Sequence, residues 1–507
     1  MANLSTLAAV DLGSNSFRLQ VARVVDDQIY PLDSLREPVR LAAGIDASKR
    51  LDEASQQRAL DCLKRFGERL RGLPPEAVRA VGTNTLRAAK NAKDFRLKAG
   101  AALGFPIEVV AGREEARLIY LGVAHSLPVN NAKRMVVDIG GGSTEVIVGS
   151  GYRPQRLESL YMGCVSYSMR FFAGGKLSKS NLKQAELAAR MELQTIAKDF
   201  STGNWSEAVG SSGTARALAD ILEQNGWSQQ GITAEGLDRL RSAIVKAGDA
   251  TKLSFPGLRA DRVPVLPGGF AIMAAIFAEL KVPQMNIASG AMREGILYDM
   301  VGRFQHRDMR DTAVTQFMKR YHVDAEQAQR VEGLSLSLFH QLAGDLHAND
   351  EHLAHFISWA ARLHEIGLSV AHSGYHKHSA YILSHADMPG FSKMEQTRLA
   401  LLVMAHRGSL DKMRGLLDNE VDFALVIALR LAVLFYRSHT HADIPSIEAH
   451  CEGVNYRLKL DQEWLRANPL TAAALSEETR EWRKLGVQLE VRSLQDLEID
   501  AEALIEE

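Results

Sequence analysis

Two stretches of this chain place an aspartate just ahead of a tight glycine–serine turn. The first runs Ala9-Val10-Asp11-Leu12-Gly13-Ser14-Asn15-Ser16, the second Val136-Val137-Asp138-Ile139-Gly140-Gly141-Gly142-Ser143. The aspartate, first glycine and last serine of each match at a constant offset of 127 residues, from Asp11 to Asp138. Glycine tolerates φ > 0 and close backbone approach, so successive N–H groups can surround phosphate oxygens. The serine hydroxyls add donors. An aspartate at the strand end is placed to orient a hydrated Mg²⁺ beside that phosphate. A single turn of this kind is an ordinary hairpin. Two in register describe an anion clamp between two similar domains.

Other residues could complete such a cleft. Val209-Gly210-Ser211-Ser212-Gly213-Thr214 leads a strand into a helix, and a helix N-terminus at Gly213 and Thr214 favours anions. Glu114-Glu115-Ala116-Arg117 sets two carboxylates side by side at a helix start. A carboxylate there can activate water, although acidic residues in a first turn also simply favour the helix dipole. On these residues alone the pair reads as the solvated first turn of a helix.

The elements that must position these residues follow from the repeat. Each copy reads as an apolar strand, a turn and a second β-rich strand, so the first 300 residues are a duplicated α/β domain. From Arg303 onward amphipathic helices dominate, with Asp324 to Leu342 and Glu351 to Leu363 as examples. Beyond Pro445 a hairpin over residues 447–460, a helix reaching Lys484 and a closing strand over residues 487–491 are expected. A chain of 507 residues exceeds one hydrophobic core. The 60 basic and 61 acidic residues leave a formal charge of -1, so no global basic field gathers nucleic acid or membrane. A polyanion must then bind through a local patch. Cys62, Cys164 and Cys451 are odd in number and far apart, as expected of reduced thiols. The N-terminus lacks a basic leader, and the apolar run over residues 424–435 contains Arg430 and is too short to span a bilayer. A cytoplasmic protein is expected.

Residues 10–16, Gly82-Thr83-Asn84-Thr85-Leu86-Arg87, Gly112-Arg113-Glu114-Glu115-Ala116-Arg117, residues 138–145, Met162-Gly163-Cys164-Val165-Ser166, residues 210–214 and residues 289–295 occur in the order of one known family. Together they resemble the exopolyphosphatase/guanosine pentaphosphate phosphatase family, of the actin-like ATPase-fold superfamily. The resemblance implies an α/β fold of two duplicated actin-like (ribonuclease H-like) domains, 1–124 and 125–303. An all-helical domain (304–444) and a small α+β C-terminal domain (445–507) follow. It implies Glu115 as catalytic base and Arg87 as a phosphate-holding arginine. Asp138 and Glu145 gather Mg²⁺, with Asp11 opposite, and a homodimer is implied. The Gly140-Gly141-Gly142 triplet is more like the exopolyphosphatase branch, so inorganic polyphosphate is the expected substrate. Guanosine pentaphosphate is the alternative, and a non-hydrolytic nucleotide-binding module is a third reading.

Only His125 precedes residue 300, and the other fifteen histidines follow it. Leu363-His364-Glu365-Ile366-Gly367, followed by His378 and His406, resembles the helical His-Asp phosphohydrolase superfamily, in which metals activate water. Glu365 stands where that pattern has an aspartate. Val433, which cannot ligate a metal, stands where it has its last acidic ligand. The expected role of this region is therefore substrate binding and dimerisation, with His372, His376, Lys377 and His378 along a basic groove.

Overall fold

β1 (Thr6–Leu12) buries four successive residues, Leu7 through Val10, as a strand covered on both faces must. It pairs antiparallel with β2 (Phe17–Val25), which pairs with β3 (Gln28–Glu37), and parallel with β4 (Val78–Gly82). β5 (Ile107–Val109) completes a sheet of order β3-β2-β1-β4-β5. The second half repeats this with β6 (Lys133–Ile139), β7 (Thr144–Ser150), β8 (Arg153–Leu160), β9 (Glu207–Gly210) and β11 (Gln284–Ile287). A short β10 (Ile232–Thr233) is added at one edge. The order β8-β7-β6-β9-β11 matches the first sheet strand for strand, in direction as well as position. Even the irregularity repeats. The register shift at Val21/Ala22 recurs at Val148/Gly149, again 127 residues on.

This computed structural model describes residues 5–25, 28–46, 48–128, 132–304, 308–343, 350–417, 420–440 and 444–494. The chain forms two units, Met1–Met309 with Pro389–Lys393, and Arg310–Met388 with Met394–Glu507. In the first, the helices Gly112–Ser126 and Met292–Phe304 cross at backbone contact. A Cβ on Gly122 would lie 1.9 Å from the Ala291 carbonyl oxygen, and one on Gly295 1.8 Å from that of Leu118. Such approach needs glycine on both helices, and it fixes the helix that carries Glu115 against the sheets. The same helix is tied by ions as well as packing. Arg117 bridges Glu114 and Asp299, and Asp299 also receives Arg79 and Arg303.

The second unit is mostly helical and includes Ala325–Leu342, Glu351–Leu363, Tyr375–His385 and Glu420–Phe435. Near its end β12 (Glu448–Glu452) and β13 (Asn455–Leu460) form the expected hairpin, and β14 (Gln488–Ser493) adds parallel to β13. The connecting helix is interrupted, Gln462–Ala467 then Pro469–Arg483. Pro469 disfavours the α region for Asn468, which sits at φ -127 and ψ 62. Among the described residues no helix is long and apolar enough to cross a membrane.

Candidate active site

The two aspartates end equivalent strands, and the turns after them face each other. A Cβ on Gly141 would come within 2.9 Å of the Ser14 Cβ. Gly13, Gly140, Gly141 and Gly142 all have ordinary negative or extended φ, so close approach rather than φ > 0 is what demands glycine here. The backbone N–H groups of Ser14, Asn15, Gly141 and Gly142 donate to no acceptor among the described residues. Two sets of donors are thus left unused at the turns, as an anion cradle requires. The Ser14 hydroxyl is held by Thr85 Oγ1 at 2.7 Å.

A cleft of about 120 Å³ lies between the halves. Asp11, Glu115 and Asp138 line it, as do Gly13, Ser14, Asn15 and Ser16 of one turn and Gly140, Gly141 and Ser143 of the other. Gly213 and Thr214 line it as well, but the Thr214 hydroxyl already donates to the Ile139 carbonyl at 3.0 Å. Three expected site residues stand behind the wall. Gly142 packs on the Asn84 side chain. Glu145 is 1% exposed and accepts from Ser159 Oγ at 2.8 Å. Arg87 Nη1 donates to Glu115 Oε2 at 2.7 Å and to the Val110 carbonyl at 2.9 Å. The arginine expected to hold phosphate is therefore bound to the expected base.

Charge in the cleft is divided. Burial pushes Asp11 up to about 7 and Asp138 up to about 6, with repulsion from Glu115 adding to both. Glu145 lies well above the usual carboxylate range through burial and the carboxylates of Glu115 and Asp138. Burial opposes the charge on Arg87, but the Glu115 carboxylate outweighs it and raises Arg87. Beside these acids stand three arginines in the cleft wall, Arg18, Arg262 and Arg293. Burial and then Arg293 depress Arg18 to about 10, with Arg36 and Arg262 contributing. Burial and then Arg36 depress Arg262. Arg293 Nε is buried with no hydrogen-bond partner. Arg262 and Arg293 keep only longer ion pairs, with Asp261 at 3.9 Å and Glu294 at 3.4 Å, so these mutually repelling cations and the orphaned donor favour a further anion.

No role was read from the sequence for these arginines or for Ser211, which bonds Asp138, although Ser211 and Arg293 lie in the motifs at 209–214 and 289–295. A signal existed for one of them. Arg18 lies 127 residues before Glu145, and the two occupy the same register opposite Asp11 and Asp138. Glu114 departs from expectation, being 3% exposed rather than solvated. Arg117, one turn on, and the Gly390 N–H at 2.9 Å satisfy its carboxylate.

In the second unit His364 and His406 are buried, and each turns Nδ1 to a backbone carbonyl, of Ala361 at 2.6 Å and Val403 at 2.5 Å. Burial lowers both, so both are neutral near pH 7. His376 rather than His378 faces His406, at 6.2 Å between ring centres. No group of three or more His, Cys, Asp or Glu suited to a metal ion occurs among the described residues.

Known proteins resemble this chain over nearly its whole length. Residues 20–304 match the Ppx/GppA phosphatase family, and residues 309–479 match Ppx/GppA phosphatase, domain III. A protein of Vibrio vulnificus named guanosine-5'-triphosphate,3'-diphosphate pyrophosphatase is 37% identical over 493 residues, covering 97% of this chain and 99% of its own. One of the same name from Vibrio cholerae is 38% identical, covering 96% and 97%. Among solved structures, an exopolyphosphatase from Cytophaga hutchinsonii shares the fold at TM-score 0.54 and 23% identity, over 59% of this chain and 98% of its own. The Aquifex aeolicus Ppx/GppA family member aligns at TM-score 0.50 and 26% identity, over 59% and 99%.

Proposed function

Because the chain belongs to the Ppx/GppA phosphatase family, whose members hydrolyse phosphoanhydride bonds, we propose that it removes the 5′ terminal phosphate of guanosine pentaphosphate. The observation that carries this reading is the pairing of two centres in one cleft. Carboxylates and free N–H groups form the first, and Arg18, Arg262 and Arg293 form the second. A substrate with a 5′-triphosphate and a separate 3′-diphosphate presents two anionic groups to match. The two Vibrio relatives, alike over nearly their whole length, bear the name of that activity. This reverses the preference for inorganic polyphosphate. That preference rested on the third glycine of the triplet, and Gly142 packs against Asn84 and stays out of the cleft wall.

In this reading the terminal phosphate lies between the turns at residues 13–16 and 140–143. Glu115 takes a proton from water as the new O–P bond forms and the bridging O–P bond to the leaving diphosphate breaks. Arg87, released in part from Glu115, holds an equatorial oxygen. A divalent cation fits the site by the chemistry of its donors. Asp11 and Asp138 are hard oxygen ligands whose ionisation is opposed by burial and by the Glu115 carboxylate, which a cation relieves. No cage of three protein ligands is needed, since Mg²⁺ is commonly held by one or two carboxylates together with substrate phosphates. Glu145 sits behind them as a further acidic group. When bound, Mg²⁺ supplies charge neutralisation of the transferring group. The homodimer and the division at residues 124, 303 and 444 belong to the same proposal, and sedimentation and limited proteolysis test them.

The deciding assay is phosphate release with Mg²⁺ from guanosine pentaphosphate and from long-chain polyphosphate. A kcat/KM at least about tenfold higher for the nucleotide is expected, which is roughly 1.4 kcal/mol of discrimination. The opposite ranking returns the protein to the polyphosphate reading.

A further inference from the structure

Asp261 has no place in the chemistry described so far, yet it is the acid with which three arginines make their ion pairs. Arg36 Nη2 lies 2.9 Å from Asp261 Oδ2, Arg259 Nε 3.2 Å from Oδ1, and Arg262 Nε 3.9 Å from Oδ2. The arginines are not scattered. Asp11, Arg18 and Arg36 are directly opposed across β1, β2 and β3, so they share one face of the first sheet. That row runs outward from the hydrolytic carboxylates in steps of about 5 Å. It ends on a residue of the second half, so the Arg36–Asp261 bridge joins the two halves.

Arg262 ties the bridge to the cleft. It lines the cavity and lies on the first turn of the helix Gly213–Gln224, where a Cβ on Gly213 would be 2.1 Å from its Nη2. A guanidinium at the positive end of a helix dipole makes an anion site stronger than either feature alone. Three guanidinium groups meet one carboxylate that is about a quarter exposed, 28% by side chain. Partial burial works against ionisation of Asp261, but Arg36, Arg259 and Arg262 together hold it below the usual carboxylate range. It is therefore fully charged wherever the enzyme works.

We propose that Asp261 is a built-in competitor of the substrate, its carboxylate contesting Arg36, Arg259 and Arg262 with the phosphate groups that enter the distal end of the cleft. The proposal rests on the reading that this cleft takes a polyanion, whichever polyanion that is. Its consequence is selection by charge. A ligand bringing one phosphate group exchanges one carboxylate for one phosphate and gains little. A ligand bringing a second, multiply charged group displaces Asp261 and gains the whole cluster. The same competition speeds product departure, because the displaced carboxylate returns.

Affinity measured by calorimetry decides it, with Glu115→Gln as the common background so that turnover is slow. The probes are guanosine pentaphosphate, GTP and inorganic tripolyphosphate. Asp261→Asn is expected to bind guanosine pentaphosphate and tripolyphosphate about five- to tenfold more tightly. GTP, which brings no 3′-diphosphate to this end, should gain less. Asp261→Ser should behave likewise, and Asp261→Glu should stay near the parent. Asp238→Asn, which removes an exposed acid from the helix Ala234–Ala247, controls for overall charge and should leave all three affinities unchanged. A purely structural bridge predicts the reverse, since losing it loosens the halves and weakens binding. Unchanged or weaker binding by Asp261→Asn overturns the proposal, as does equal tightening by Asp238→Asn. Tighter tripolyphosphate binding in a protein that fails to hydrolyse guanosine pentaphosphate leaves the competitor standing and removes the nucleotide reading. Failure of every probe to bind either protein removes both.

Discussion

In the first half of the catalytic unit the row crossing β1, β2 and β3 reads Asp11, Arg18, Arg36; in the second the row crossing β6, β7 and β8 reads Asp138, Glu145, Ser159. The backbones are the same, down to the shared irregularity at Val21 and Val148. The charges are not. One row leads from an aspartate into cations, the other from an aspartate into a buried acid capped by a hydroxyl. A duplication that kept both rows acidic would make a symmetric carboxylate pocket with nothing to hold the rest of a polyanion. In the proposed reading, divergence at two register positions, Arg18 against Glu145 and Arg36 against Ser159, separates a reacting end from a holding end. Fold symmetry and functional asymmetry therefore coexist without any change of topology.

The comparison breaks hardest at the reacting end. Glu115→Gln keeps shape and removes the proton acceptor, so turnover should fall by about two orders of magnitude or more while substrate affinity persists. Single-turnover phosphate release beside calorimetry checks both halves of that statement. Retained turnover would assign the base to another group, and lost binding would mean that Glu115 serves chiefly to anchor Arg87.

At the holding end the effect is smaller and selective. Arg18→Ala should lower kcat/KM for guanosine pentaphosphate by about tenfold or more. GTP, which lacks the 3′-diphosphate, should change little. Parallel kinetics on the two nucleotides test this. Equal losses on both would place Arg18 against the 5′ phosphates and erase the division between the rows.

Much of this was legible in the residues themselves. The 127-residue repeat marked both hairpins, and the paired turns do face each other across a cleft that Asp11, Glu115 and Asp138 line. What stayed hidden depended on distance in sequence. Arg262 reaches the cleft from a turn and 3-10 segment with no pattern of its own, and Arg36 lies on an exposed strand where an arginine is unremarked. Glu114 was misjudged because its partners, Arg117 and the Gly390 N–H, bury it only after folding, and Gly390 lies 276 residues away. Of the two reasons given for the glycines, close approach holds and a positive φ does not, since crowding between turns excludes a side chain at Gly141. Gly142, the glycine that weighed toward polyphosphate, packs against Asn84.

The smallest expected effect concerns stability, and its sign follows from the raised carboxyl groups. Asp11 titrates near 7 in the folded chain and near its ordinary 3.8 when unfolded. The folded state thus holds a proton that the unfolded state has lost between those values, so stability falls as pH rises through that window and levels above it. Asp138, near 6, adds to the loss over the lower part of the same range. Asp11→Asn removes the buried charge. At pH 8 with a chelator present it should stabilise the protein by on the order of 1–2 kcal/mol, a Tm gain of about 2–8 °C. At pH 4 the variant and the parent should melt together. Adding Mg²⁺ at pH 8 should raise the parent's Tm more than the variant's, because a ligand that binds the folded carboxylates stabilises in proportion to its affinity. Thermal melts at the two pH values, with and without Mg²⁺, read all of these differences. A variant that melts below the parent at pH 8 would show that Asp11 is paired rather than strained. The acidic start of the first row would then belong to the holding end, together with Arg18.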